Sequence, residues 1–174
     1  MESWVDLGGE RRAPLAIPPG RAHVLIFLTP TCPIANTYAP EVLRIVKDYA
    51  DQPVAFFLVH VDPDLTSDDL AEHTRDYGFE CPVLFDPEGR LVRATGVTVT
   101  PEAAVLTAGL NRAAGPAYDV RYRGRIDDLY TDFGKRRQSP TTRDLRVALD
   151  AVLAGQKVEV SRTPAIGCPI PEGS

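Results

Sequence analysis

Cysteine is scarce in this chain: three in 174 residues, at positions 32, 81 and 168. That is too few for a disulfide scaffold, and the odd count leaves at least one thiol unpaired within a monomer. Long apolar runs are missing as well. The longest, Val24–Leu28, is strand-sized and far short of the roughly 20 residues that cross a bilayer. Positive charge is not in excess. Nineteen Lys and Arg against twenty-four Asp and Glu leave a net charge of −5, which argues against a nucleic-acid surface. The basic cluster Lys135-Arg136-Arg137 is short and reads as a solvated loop. Met1-Glu2-Ser3-Trp4 has neither the basic start nor the apolar stretch of a signal peptide. The compartment stays open between the cytoplasm and export with a signal already removed. His23, His60 and His73 do not form a ligand cluster by spacing, and nothing calls for a metal or a cofactor. No internal repeat or low-complexity segment is present.

What is there fits one α/β domain over residues 1–155, followed by a tail, 156–174, that packs on or near it. Trp4–Leu7, Gly8-Gly9 and Glu10–Leu15 read as a small hairpin. His23–Leu28 and Val54–Val61 are continuous apolar runs, expected as central strands covered on both faces. Between them Ile34, Tyr38, Val42, Ile45 and Tyr49 mark one helical face, with Pro33 in the first turn and Pro40 expected to kink the helix. Thr66 with Asp69 predicts a capped helix to about Tyr77. Pro82–Phe85 predicts a short strand, and Leu91–Thr95 a helical turn. Ala103–Leu106 and Ala117–Tyr122 predict neighbouring strands joined by a loop containing Gly109 and Gly115. Thr141 with Asp144 predicts the start of a last helix, stopped at Gly155. The early β-α-β-α-β order implies a parallel sheet with right-handed crossovers, and the late strand pair an antiparallel edge.

One stretch carries chemistry. In Phe27–Tyr38, F-L-T-P-T-C-P-I-A-N-T-Y, Cys32 stands between a strand and a helix start. Strand ends and helix N-termini meet on one edge of an open α/β sheet, where ligands collect. First-turn N–H groups favour an anion, so the Cys32 thiol is expected to ionise more readily than a free one. Thr29 would donate its hydroxyl to the sulfur. The bland reading is a small buried apolar residue.

Thr29-Pro30-Thr31-Cys32-Pro33 resembles the thioredoxin-fold redoxins, the group holding thioredoxin-like proteins and peroxiredoxins of the alkyl hydroperoxide reductase/thiol-specific antioxidant type. Val99-Thr100-Pro101-Glu102 occupies the place of that fold's cis-proline loop. Tyr122–Asp128 and the tail Ala165–Ile170 are similar to a bacterial subgroup of redoxin-domain proteins. The resemblance runs from about Trp4 to Ile170. It implies a thioredoxin-like fold, a central mixed sheet flanked by helices with an N-terminal hairpin extension. It also implies a cysteine-dependent redox activity: thiol–disulfide exchange or peroxide reduction. The partners would then be a peroxide or a protein or small-molecule disulfide, with an external thiol as reductant. Thr100 and Pro101 would lie beside Cys32 and pair with an extended substrate segment.

Several positions depart from these patterns. Thr29 and Ala35 stand where a second cysteine of Cys-x-x-Cys would be, so dithiol cycling within one motif is excluded. Leu25 replaces the proline of the peroxiredoxin pattern, and Pro101 stands about where its arginine falls, leaving Arg123 or Arg125 to reach in. Leu28 and Asn36 occupy the two partner positions of a Sco-type copper site, which is therefore not expected. Cys81, at the start of a parallel strand, is expected at the far end of the sheet, about 15 Å from any bonding position, and reads as a packing residue. Cys168 has two readings: a resolving thiol for Cys32, with Gly167 permitting a tight turn, or part of a docked tail. Glu102 would raise the Cys32 pKa or point to solvent. Asp127 and Asp128 would cap the next segment, pair with Arg123 and Arg125, or bind a cation. A redox-inactive binding or scaffold domain stands as the alternative function.

Overall fold

The computed structural model describes residues 2–109 and 117–171; Gly115 of the expected loop lies outside them. Five strands form the central sheet: β3 (Ala22–Leu28), β4 (Val54–His60), β5 (Val83–Phe85), β7 (Glu102–Ala108) and β8 (Tyr118–Gly124). Their order is β5-β4-β3-β7-β8. β3, β4 and β5 run parallel, while β7 and β8 are antiparallel to their neighbours. This is the mixed sheet of a thioredoxin-like fold. β3 is buried along its whole length because its side chains alternate between two covered faces. Val24, Ile26 and Leu28 join one apolar cluster, and Leu25 and Phe27 the other.

Helices fill those faces. Two helices, α1 (Pro33–Thr37) and α2 (Ala39–Asp48), replace the single kinked helix expected. Pro40 has no N–H to give Asn36, so the first helix stops and a second begins with Pro40 in its opening turn. Val42 and Ile45 of α2 meet Leu145 and Leu149 of α5 (Asp144–Leu153) on the same side of the sheet. Glu41, buried beneath them, accepts hydrogen bonds from Arg44, Arg143 and Arg146. α3 (Ser67–Tyr77) begins with the expected box: Thr66 accepts from the Asp69 N–H, and the Asp69 carboxylate from the Thr66 N–H. α4 (Arg90–Thr95) covers the other face with Leu91.

The N-terminal hairpin is shorter than expected, β1 (Trp4–Val5) with β2 (Arg11–Arg12). It docks on the β5 edge, where Leu7 N–H meets the Val83 carbonyl at 3.1 Å and buried Trp4 donates to Asp86. β9 (Tyr130–Asp132) and β10 (Lys135–Arg136) make an exposed ribbon. Two short strands, β6 (Val99–Thr100) and β11 (Cys168–Pro169), pair antiparallel beyond the sheet's reactive edge. Among the described residues no helix is long and apolar enough to cross a membrane.

The expected Thr141–Asp144 box does not form. Arg143 is the N-cap of α5 and makes no side-chain cap bond. Asp144 instead faces Arg125 at 2.9 Å, and the Thr141 hydroxyl and N–H both go to Asp128. Asp128 also accepts the Thr142 N–H at 2.9 Å and faces Arg137. These donors, rather than Arg123 and Arg125, satisfy it. Asp127 accepts from the Tyr38 hydroxyl at 2.7 Å.

Burial opposes ionisation of Asp128, but the Thr141 hydroxyl, the Thr142 and Thr141 N–H groups and Arg137 outweigh it and hold its pKa at about 2. The unfolded value is about 3.9, so its contribution to stability is present above pH 4 and disappears as pH falls through 2. Asp128→Asn keeps one acceptor but turns an N–H₂ toward these donors. Its denaturation midpoint at pH 7 is expected to drop by an amount equivalent to about 1–3 kcal/mol. The gap from wild type should narrow as pH falls from 5 toward 2, as urea titrations would show.

Candidate active site: two thiols under a strap

Cys32 lies just past the C-terminal end of β3, as the N-cap of α1. Its backbone is extended (φ −96°, ψ 111°), and its N–H reaches back to the Thr29 carbonyl at 3.2 Å. This short loop turns the sulfur inward, under the first turn. There it accepts from the Ala35 N–H at 3.5 Å and, as a thiol, donates to the Thr100 carbonyl at 3.2 Å. The Thr100–Pro101 peptide is cis, and the Thr100 carbonyl faces the sulfur. The Thr29 hydroxyl does not reach it. It bonds Thr31 at 3.0 Å, because the tight loop aims both hydroxyls at each other.

The sulfur is not open to solvent; Cys32 is 0% exposed. What covers it is the tail. After α5 the chain returns along the outer strand, with Arg123 N–H on the Ser161 carbonyl and Thr163 N–H on the Arg123 carbonyl. Thr163 is buried, and its hydroxyl bonds Tyr122 at 2.6 Å. A side chain at Gly124 would collide with Thr163, so glycine permits this anchoring. From there 167–171 runs across the reactive edge as a strap. Cys168 pairs with Thr100, Pro169 with Val99, and the Ile170 N–H donates to the Thr98 carbonyl at 3.0 Å. Gly167 presses against Thr100: a Cβ there would land on the Thr100 oxygen and lie 2.6 Å from its carbon. The glycine therefore serves close approach rather than the tight turn expected.

The strap pairs Cys168 with Thr100, whose carbonyl accepts from Cys32, and so brings the second thiol close to the first. Both thiols are free. Burial alone would raise the Cys32 pKa, but the Cys168 thiol and the N–H groups of Ala35, Cys168 and Ile34 outweigh it, and the net shift is downward. Cys168 moves the opposite way, to about 11, through burial and through holding its proton toward Cys32. One of the two is thus poised to be the thiolate and the other to keep the proton. Two of these donors, the Ile34 and Ala35 N–H groups, are the first-turn groups that the sequence points to. α1 is only five residues long, and the neighbouring second thiol adds to them.

Other candidates stand elsewhere. Cys81 is level with Phe56 and Val24, mid-sheet rather than at the far end, because β5 pairs only with the last residues of β4. Two strand spacings, about 10 Å, still part it sideways from β3. Its thiol is pushed up to about 12 by burial. Glu102 neither faces solvent nor contacts Cys32. It is buried and accepts the Thr98 and Val99 N–H groups at 2.7 and 3.3 Å, holding the loop before Pro101. Arg123 lies 3.8 Å from Glu102 and donates to the Gly96 carbonyl. Arg125 goes to Asp144. Neither arginine expected to reach the cysteine does so. His60 is fully buried and meets His73 edge-on at 5.2 Å; burial, then His73, lower its pKa to about 3, the value of a core histidine. Thr163 and Gly124 carry no signal in the sequence, since only a long-range contact gives each its role.

A model described as the AhpC/TSA family matches residues 15–123. No curated protein matches the chain. Among solved structures, a hypothetical protein of Sinorhizobium meliloti is 26% identical, with TM-score 0.78, over 99% of this chain and 91% of that one. An uncharacterized conserved protein of Geobacillus kaustophilus is 23% identical, with TM-score 0.78, over 97% and 86%. A secreted Mycobacterium tuberculosis disulfide oxidoreductase is 16% identical, with TM-score 0.56, over 88% and 95%. These last two likenesses show the fold. The family match spans more than half of the chain and takes in both Cys32 and the Thr100–Pro101 loop: the chain belongs to the AhpC/TSA family.

Proposed function

We propose that this protein is a thiol–disulfide oxidoreductase in which Cys32 is the attacking sulfur and Cys168 resolves the intermediate. The observation that carries the reading is that Cys168 pairs with Thr100, the residue whose carbonyl accepts from the Cys32 thiol. Cys32, with the lower pKa, supplies the thiolate. It attacks one sulfur of a substrate disulfide, a Cys32–substrate bond forms, and the other substrate sulfur leaves as a thiolate. Cys168 then gives up its proton to that thiolate or to water and attacks Cys32 Sγ. The first substrate sulfur departs, and a Cys32–Cys168 disulfide remains. Two electrons have passed from the protein dithiol to the substrate.

A peroxide would reach the same end through a sulfenic acid at Cys32, with water leaving. Disulfide exchange is favoured because Arg123 and Arg125, the cations expected to polarise a peroxide, are engaged with Gly96, Glu102 and Asp144. The full burial of Cys32 favours a second reading, a redox-inactive binding domain. In the redox reading the strap lifts to admit substrate, which its few edge contacts allow.

Alkylation of reduced protein by iodoacetamide across pH separates the two. The redox reading expects Cys32 to react with a midpoint below the free-thiol value of about 8.5. A thiol that stays inert to pH 9 would leave only the binding domain. Treatment with oxidised glutathione should give an intramolecular Cys32–Cys168 disulfide by peptide mapping. Cys168→Ser should instead stop at a mixed disulfide on Cys32. Peroxide consumption that disappears in Cys32→Ser would shift the assignment to a peroxidase.

Gly167→Ala is expected to push the strap off Thr100. Alkylation of Cys32 should then speed up severalfold, about three- to thirtyfold, as the cover opens more often. An unchanged rate would mean that the strap is not what shields the sulfur.

A further inference from the structure

Next to the Cys32 loop lies a pair of histidines that the proposed chemistry leaves unused. His60 ends β4, level with Leu28, and His73 sits on the buried face of α3 with Leu70. Both are buried, and three of their four ring nitrogens, His60 Nδ1 and Nε2 and His73 Nδ1, have no hydrogen-bond partner. The fourth, His73 Nε2, meets Asn36 Oδ1 at 2.9 Å. The amide decides which atom donates. Asn36 Nδ2 donates to the Pro30 carbonyl at 2.9 Å, and a carbonyl only accepts. Oδ1 therefore faces His73, and His73 Nε2 must carry the hydrogen. The Asn36 backbone N–H goes to the Cys32 carbonyl at 3.1 Å. Asn36 thus grips the chain at Pro30 and at Cys32, and His73 holds the side chain that makes the first of these contacts.

Packing alone does not call for an imidazole at position 73. Tyr77, His60 and Phe79 surround the ring at centroid separations of 4.8, 5.2 and 5.7 Å. A phenyl ring would suit that box and bury no bare nitrogen, which costs free energy. What the imidazole adds is one N–H, and it is spent on Asn36. Taking Cys32 as the attacking sulfur of the function proposed above, we propose that His73 is a positioning residue for it, acting through Asn36 on the Pro30 carbonyl. The turn before the sulfur is closed by the Cys32 N–H on the Thr29 carbonyl at 3.2 Å. The sulfur then meets the Ala35 N–H at 3.5 Å, a long contact that tolerates little displacement. With Pro30 released the turn relaxes, and the sulfur loses alignment with the Ile34 and Ala35 N–H groups that favour its anion. His73 works here as a neutral donor. Burial outweighs Asp76 and lowers its pKa below the ordinary 6.5, and His60 beside it stays neutral too. Exchanging His73 for another neutral side chain therefore changes no charge near the sulfur at pH 7 and above.

The test is alkylation of Cys32 by iodoacetamide across pH, read by peptide mapping. His73→Phe keeps a ring in the box and drops the donor; its midpoint is expected to rise by about 0.5–1 unit. His73→Gln, whose amide N–H₂ takes the place of Nε2–H, should return the midpoint to that of wild type. Asn36→Ala should match His73→Phe, and the double variant should shift no further than either, since both break one chain. If His73→Phe does not fold, His73→Leu is read against His73→Gln in the same way. An unchanged midpoint without the donor, or a shift that His73→Gln does not reverse, overturns the inference while leaving the proposed activity intact. A wild-type Cys32 that stays inert to about pH 9 removes both.

Discussion

The antiparallel pairing of residues 168–169 with 99–100 is the contact on which the reactive end of this molecule depends. It joins two parts of the chain that the sheet alone would leave apart. On one side is the loop before β7, held by Glu102 through the Thr98 and Val99 N–H groups. On the other is a terminal segment whose course is set earlier, where Thr163 locks onto Tyr122 and the Arg123 backbone. Between them sits Cys32. Remove the pairing and that cysteine becomes a thiol at the end of a strand. With it in place, the sulfur is enclosed, set beside a second thiol and shifted toward ionisation.

That arrangement explains how a chain lacking Cys-x-x-Cys can hold a dithiol. In a contiguous motif both sulfurs lie on one helical turn, and their separation is fixed by local geometry. Here Thr29 and Ala35 take the partner positions, and the second sulfur arrives on a strap. The pair is therefore as stable as the strap's contacts, which are few. In the proposed function Cys168 moves with the strap, whereas α1 and the Thr100–Pro101 loop provide the fixed part. Cys168 lies outside the stretch matched by the family model, residues 15–123. The matched portion holds Cys32 and the Thr100–Pro101 loop, and the segment beyond it brings Cys168.

Electrostatics reinforce the division. The buried carboxylates Glu41, Glu102 and Asp128 are spent on arginines or on backbone N–H groups that hold helices and loops in place. None of them hydrogen-bonds the Cys32 sulfur, which meets the Ala35 N–H and the Thr100 carbonyl. The charge that sulfur can carry is met by N–H and S–H dipoles instead, which can stabilise an anion without neutralising it.

The sequence by itself determined the elements and the edge where chemistry gathers. The apolar run of β3 had to be a doubly covered strand, the Thr66–Asp69 box a helix start, and Cys32 the residue between strand and helix. Each of these follows from side-chain period and capping within a few residues. Local pattern misled at Pro40, where the helix divides, and at Thr141, whose partner is Asp128 rather than Asp144. It also gave Thr29 a bond to sulfur that the tight loop diverts to Thr31. Only the tertiary structure decided that Arg123 and Arg125 turn away from the cysteine, that Gly167 permits contact rather than a turn, and that Cys168 meets Cys32. These outcomes depend on which distant segments share an edge. Period and capping carry no information about that, because it is settled by the packing of the whole sheet and by the path of a tail anchored at Thr163.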